Sequence, residues 1–273
     1  MKQNLFLLLA VATAFSLNSC KKSTTPNATL VKQWSAVAIS PTFENPAPGG
    51  RTETGTVTVS LYSDYTVRYS ATINNMAAGD AIVAGHIHLG DAVTNGAIIV
   101  PLNPTFTTSG STLTASGTVT VSATLADSLQ NQSIYINFHS TAFPGGLMRG
   151  QMDKTIDYAT DVILTGANEV PAVTTTATGK AYLRITTDKM LYSKVIITNL
   201  EATDALTAAH IHKAAAGING PVIQGICSGA ADFNISKSVL LTDALITSIK
   251  TDQIYVNAHS TGHPGGIIRG QVR

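Results

Sequence analysis

Two short segments, His86-Ile87-His88 and His210-Ile211-His212, hold two imidazoles one residue apart, and each is followed downstream by a third histidine, His139 or His259. In a strand, residues two apart point to the same side, roughly 7 Å from one another. Around the third histidine, Ile134, Ile136 and Phe138 alternate with Tyr135, Asn137 and His139, and Ile254, Val256 and Ala258 alternate likewise with Tyr255, Asn257 and His259. The third histidine therefore shares a polar face with a Tyr and an Asn. Were the two strands of a copy neighbours, His86, His88 and His139 would meet, and so would His210, His212 and His259. Three imidazoles suit copper, zinc or nickel, whereas calcium and magnesium take oxygen ligands. The same histidines could equally be structural, hydrogen-bonded to backbone or to Asn side chains.

Nearby residues offer further chemistry. Pro144-Gly145-Gly146 and Pro264-Gly265-Gly266 read as tight turns. Arg149 and Arg269 follow in Arg-Gly-Gln at the start of a closing strand. Each guanidinium has two candidate roles: pairing with a carboxylate or carbonyls of its own domain, Glu44 and Glu169 being candidates, or binding an anion. His263 has no match in the first copy and is a candidate fourth ligand in the second. Cys227, also unmatched, reads as a small buried apolar group.

These residues are positioned by a duplicated fold. Tyr135 to Met152 and Tyr255 to Val272 are identical at 11 of 18 positions. The copies are offset by 120 residues there and by 124 at the His-x-His pairs, so they differ by loop-sized insertions. Glu44-Asn45-Pro46-Ala47 parallels Glu169-Val170-Pro171-Ala172. Val57, Val59 and Leu61, then Tyr65, Val67, Tyr69, Ala71 and Ile73, alternate with polar residues around Ser63-Asp64, which predicts a hairpin with one buried face. The second copy repeats it at Ala181 to Thr186 and Leu191 to Thr198. Leucines four apart, Leu125 to Leu129 and Leu241 to Leu245, predict one short helix per copy. The expected fold is all-β: two tandem antiparallel Greek-key sandwiches or flattened barrels, each with one short helix. The first domain is expected over residues 30–153 and the second over 154–273.

Charged residues form only 12% of the chain and the formal net charge is +1, with no basic cluster, which argues against a nucleic-acid partner. At the N-terminus, Lys2 precedes an apolar run from Leu5 to Phe15 that is too short for a permanent span. Leu17-Asn18-Ser19-Cys20 resembles a lipobox, which predicts a signal peptide over residues 1–19, lipidation at Cys20 and a polar tether over 20–29. The expected location is the cell envelope, as a periplasmic or outer-membrane lipoprotein held to the membrane by its lipid.

Gly166 to Pro171, Ala177-Thr178-Gly179, Ala209 to His212 and Tyr255 to Gln271 together resemble the CHRD domain first named from chordin, and the first copy matches more loosely in its N-terminal half. In chordin the domain belongs to an extracellular antagonist of growth factors, and bacterial members are mostly secreted. Leu147 and Ile267 stand where the family often has an acidic residue. A weaker resemblance joins His86 to Asp91 to the His-x-His strand of copper-zinc superoxide dismutases, without a bridging histidine or a zinc cluster. The reading that leads is a non-enzymatic binding module holding copper, or zinc, in each three-histidine set. An adhesion or scaffold module with structural histidines and an unidentified protein partner is the second reading, and a metal-dependent redox enzyme the third.

Overall fold

The computed structural model describes residues 27–273, so the expected signal peptide, Cys20 and most of the expected tether lie outside it. The first domain comprises β1 (Leu30–Ile39), β2 (Thr54–Tyr62), β3 (Thr66–Asn74), β4 (Ile82–Leu89), β5 (Ile98–Pro101), β6 (Thr107–Ser109), β7 (Thr112–Thr120), α1 (Ala123–Asn131), β8 (Ile134–Ser140) and β9 (Met148–Gln151). The second comprises β10 (Ile156–Thr165), β11 (Thr178–Thr186), β12 (Met190–Thr198), β13 (Leu206–Lys213), β14 (Val222–Cys227), β15 (Lys237–Leu240), α2 (Asp243–Thr251), β16 (Ile254–Ser260) and β17 (Ile268–Gln271). The all-β, two-domain expectation holds.

In the first domain the sheet order is β1-β2-β3-β7-β6 in one layer and β5-β4-β8-β9 in the other, all pairs antiparallel. The layers are stitched at one side by an isolated bridge between Ser40 and Arg149. In the second domain the corresponding contact, Thr165 to Arg269, joins all strands into one sheet ordered β14-β13-β16-β17-β10-β11-β12-β15. This is a flattened barrel that stays open between β14 and β15. The chain leaves β3 for the opposite layer and returns to lie beside it as β7, a connection of the Greek-key kind.

Alternation supplies the cores. Val57, Val59 and Leu61 on β2 and Val67, Ala71 and Ile73 on β3 are buried against Ile87, Ile134, Ile136 and Phe138. Val162, Leu183, Ile185 and Val195 pack in the same way against Ile211, Ile254 and Val256. Each fully buried side chain of this kind contributes about 1.5–3 kcal/mol. The copies differ at one facing pair across the sheet. Gly85 faces Phe138, whose ring fills the space of the absent Cβ, and the paired positions in the second domain are Ala209 and Ala258.

Two expectations shift. Tyr65 lies in the turn before β3 with a positive φ of 63° and is exposed, so it is not on the buried face. Leu241 precedes α2, because Thr242 caps the helix by accepting from Leu245 N, as Ser122 does from Leu125 N in the first copy. Leu241 thus corresponds to Val121, and the pair on the helices is Leu125 with Leu245.

Candidate metal centre

β4 and β8 are antiparallel neighbours, with Ala84 opposite His139, His86 opposite Asn137 and His88 opposite Tyr135. The register of β13 and β16 is the same, with Ala208 opposite His259, His210 opposite Asn257 and His212 opposite Tyr255. In-register pairing brings the third histidine diagonally onto the His-x-His pair. His86, His88 and His139 each offer one nitrogen within 4.8 Å of the others, as do His210, His212 and His259. The face they share is not open to solvent along its whole length, since Tyr135 and Asn137 are buried as thoroughly as the isoleucines behind them. The turn at residues 41–47 and the loop at 90–96 cover it.

The hydrogen bonds decide which nitrogen of each ring is free. His88 Nδ1 donates to Gly96 O at 2.9 Å and His139 Nδ1 donates to Pro144 O at 2.8 Å. A ring nitrogen that donates carries the proton, so both rings keep an Nε2 lone pair. His88 Nε2 is buried with no hydrogen-bond partner, and His139 Nε2 lies 3.1 Å from His86 Nδ1. The second copy repeats each contact: His212 Nδ1 to Gly220 O at 2.9 Å, His259 Nδ1 to Pro264 O at 3.0 Å, and His210 Nδ1 to His259 Nε2 at 3.0 Å, with His212 Nε2 unpartnered. Backbone carbonyls that fix tautomer and ring plane behind the coordinating nitrogen recur in metal sites. Because His139 Nε2 and His259 Nε2 can only accept, His86 Nδ1–H and His210 Nδ1–H donate to them. With that proton moved to Nε2 of His86 or His210, the three nitrogens able to coordinate are His86 Nδ1, His88 Nε2 and His139 Nε2, and their counterparts in the second copy. Such a set fits a transition metal with an open position.

Charge also favours the neutral rings. Burial first, then the neighbouring imidazoles, hold His86 and His210 below the ordinary histidine value, and burial lowers His88 and His259. A neutral imidazole is the coordinating form.

Behind the histidines runs a stack. The Tyr135 ring lies parallel to His88 at 4.8 Å, and the Arg149 guanidinium sits 3.4 Å from the other face of Tyr135. Tyr255, His212 and Arg269 repeat it at 4.7 Å and 3.3 Å. Arg149 is fully buried and donates to the carbonyls of Asp91 and Thr94 and to Asn95 Oδ1, while Arg269 donates to Ala215 O, Ile218 O and Asn219 Oδ1. Both guanidinium groups donate mainly to carbonyls of their own loops. Glu44 and Glu169 lie near them, and burial pushes both carboxyls up to about 7 against the pull of the arginines.

His263 does not join the second triad; it lies on a surface turn beside Asp204 and Glu201. Cys227 is buried and free, its thiol pushed up to about 12 by burial. Leu147 and Ile267 are fully buried, which accounts for apolar residues at those positions. Sequence reasoning missed Gly96 and Gly220, whose N–H donates to the hydroxyl of Tyr135 or Tyr255 while the carbonyl holds His88 or His212. A signal was there: Asn95-Gly96 and Asn219-Gly220 recur eight residues after the second histidine of each pair.

The CHRD domain family model matches residues 35–152 and again 160–272. The chain belongs to the CHRD domain family. Its two CHRD domains contain both triads, both stacks and both closing strands, and residues 1–34, 153–159 and 273 fall outside the matches. Comparison with curated proteins and with solved structures finds no match.

Proposed function

We propose that this protein is an exported, lipid-anchored binding module of the cell envelope whose two CHRD domains each hold a transition metal, copper before zinc, on three histidines. The observation that carries the reading is the tautomer arrangement. In both copies two rings are pinned through Nδ1 to backbone carbonyls, which directs their Nε2 lone pairs toward the Nδ1 of the third. A purely structural cluster would satisfy its buried nitrogens internally, yet His88 Nε2 and His212 Nε2 are buried without a partner. Copper stands first because three imidazole nitrogens without a carboxylate favour it along the divalent series.

Metal analysis of full-length protein purified without chelator tests this. The expected content is about one ion per domain, with His88→Ala and His212→Ala each removing about one and leaving the other domain loaded. Protein that binds neither copper nor zinc, and whose histidine variants lose only thermal stability, returns the triads to the adhesion or scaffold reading. The anchor is tested separately: labelled palmitate is expected to enter the wild-type chain and not Cys20→Ala.

A further inference from the structure

The two domains differ most at the side where their barrels stay open. In the first domain Tyr69 forms the floor of that side. An added Cβ on Gly117 would stand 2.5 Å from its hydroxyl oxygen, and the hydroxyl donates to Leu102 O at 2.9 Å. The sheet register pairs Val59 with Tyr69 and Tyr69 with Gly117, and the same places in the second domain are held by Leu183, Ser193 and Lys237. A hydroxymethyl group replaces a phenol, and an ammonium enters where the first copy has no side chain. Next to the histidine, Pro101 beside His86 becomes Gly225 beside His210.

These exchanges change the lining: the second domain carries a groove of about 430 Å³ with Ala208, Ile226 and Val239 as apolar wall, Lys237 at one side and His210 at another. The matching groove of the first domain is floored by Tyr69 and Pro101, and His86 does not line it. Lys237 is held in place: its Nζ lies 2.6 Å from Asp232 Oδ1, and Asp232 is itself fixed by Ser228 N and Oγ at 2.8 and 2.7 Å. An ammonium has three donors, so two remain after Asp232 is served. Volume and mixed lining are those of a small-molecule site.

We propose that the open side of the second domain binds a small carboxylate with an apolar body, its carboxylate on Lys237 Nζ and its body against Ala208, Ile226 and Val239, beside His210. Asp232 decides the charge. With Lys237 already paired to Asp232 the pair is close to neutral, so a monoanion meets less opposition than a dianion such as phosphate. The first domain's matching groove is of similar size, about 450 Å³, but has Gly117 where the second has Lys237, and so lacks the cation.

Benzoate titrated into the full chain by calorimetry tests the site, on metal-loaded and on chelator-treated protein, with inorganic phosphate as competitor. One benzoate per chain is expected, undisturbed by phosphate. Lys237→Gln should weaken it about tenfold, the loss of one charge-assisted hydrogen bond. Ser193→Tyr combined with Lys237→Gly recreates the pair that the first domain accommodates, and should abolish binding without changing thermal unfolding by much. Should that double variant fold poorly, Lys237→Gln alone decides. No benzoate binding, equal binding by Lys237→Gln, or displacement by phosphate overturns the proposal. Because the chelator-treated protein is tested as well, failure here leaves the metal reading standing, and failure of metal binding leaves this site testable.

Discussion

Glu44 and Glu169 are carboxyls that the fold removes from water, and desolvation of the charged form raises both from 4.5 to about 7. A carboxyl whose value rises on folding contributes its full stability below 4.5 and loses it as pH climbs through about 7. The depressed histidines act in the opposite sense. Their contribution is complete above 6.5 and falls as pH drops below that value. In the wild type the two trends partly offset. Glu44→Gln with Glu169→Gln removes the first, so the variant should gain on the wild type by up to about 1.4 kcal/mol per pH unit per carboxyl between 4.5 and 7. Urea unfolding followed across that range measures the difference, and parallel curves for the two proteins would contradict it. At this scale the sequence revealed the triad residues but not which nitrogen each presents. Alternation in Tyr135, Asn137 and His139 fixes a face, whereas the tautomers of His88 and His139 depend on Gly96 O and Pro144 O, which only the folded loops bring into reach.

The closing strands β9 and β17 show why Arg-Gly-Gln carries a glycine. A Cβ on Gly150 would stand 2.5 Å from Ala38 O, and one on Gly270 would stand 2.2 Å from Ile163 O. Both obstacles are backbone of the first strand of the domain, so neither can yield by a rotamer change. Gly270→Ala should push β17 from β10 and cost about 1–3 kcal/mol, read as a fall in denaturant midpoint. Since Arg269 sits beside Gly270 and stacks on Tyr255, which stacks on His212, metal affinity should fall in the second domain and stay unchanged in the first. Gly265→Ala is the control: its Cβ would meet nothing within 4 Å, and both stability and metal affinity should be unaffected. The motif was plain in the sequence because it recurs, and so were the hairpins, whose period-two pattern is local. The covering of the histidine face was not. The burial of Arg149 and Tyr135 comes from the 41–47 turn and the 90–96 loop, and nothing in the alternation of β8 distinguishes a solvent face from one roofed by loops.

Each domain has its own core, and polar side chains link the two. Arg184 on β11 is fully buried and donates across the interface to Glu44 O at 2.7 Å and Asn45 Oδ1 at 2.8 Å, and within its own domain to Asp161 Oδ1 at 2.8 Å. The other oxygen of Asp161 accepts from Ala47 N at 2.9 Å. The second domain thereby clasps the turn that roofs the first domain's histidine face. The register position of Arg184 in the first copy is Ser60, so the clasp is a feature that duplication alone would not supply. That contrast could be read from the aligned copies, but its partner could not, because Glu44 and Asn45 lie some 140 residues earlier in the chain. Arg184→Met leaves the half-buried Asp161 and the buried Asn45 Oδ1 without their cation and should cost about 3 kcal/mol. Scanning calorimetry should then resolve two unfolding transitions where the wild type gives one, and metal affinity should weaken in the first domain, whose roof is released, with the second unaffected. Asp161→Asn added to Arg184→Met should restore part of the lost stability by removing the orphaned charge, a coupling that two independent sites would not show. A single transition at the wild-type temperature in Arg184→Met would mean that the domains cohere through their linker alone.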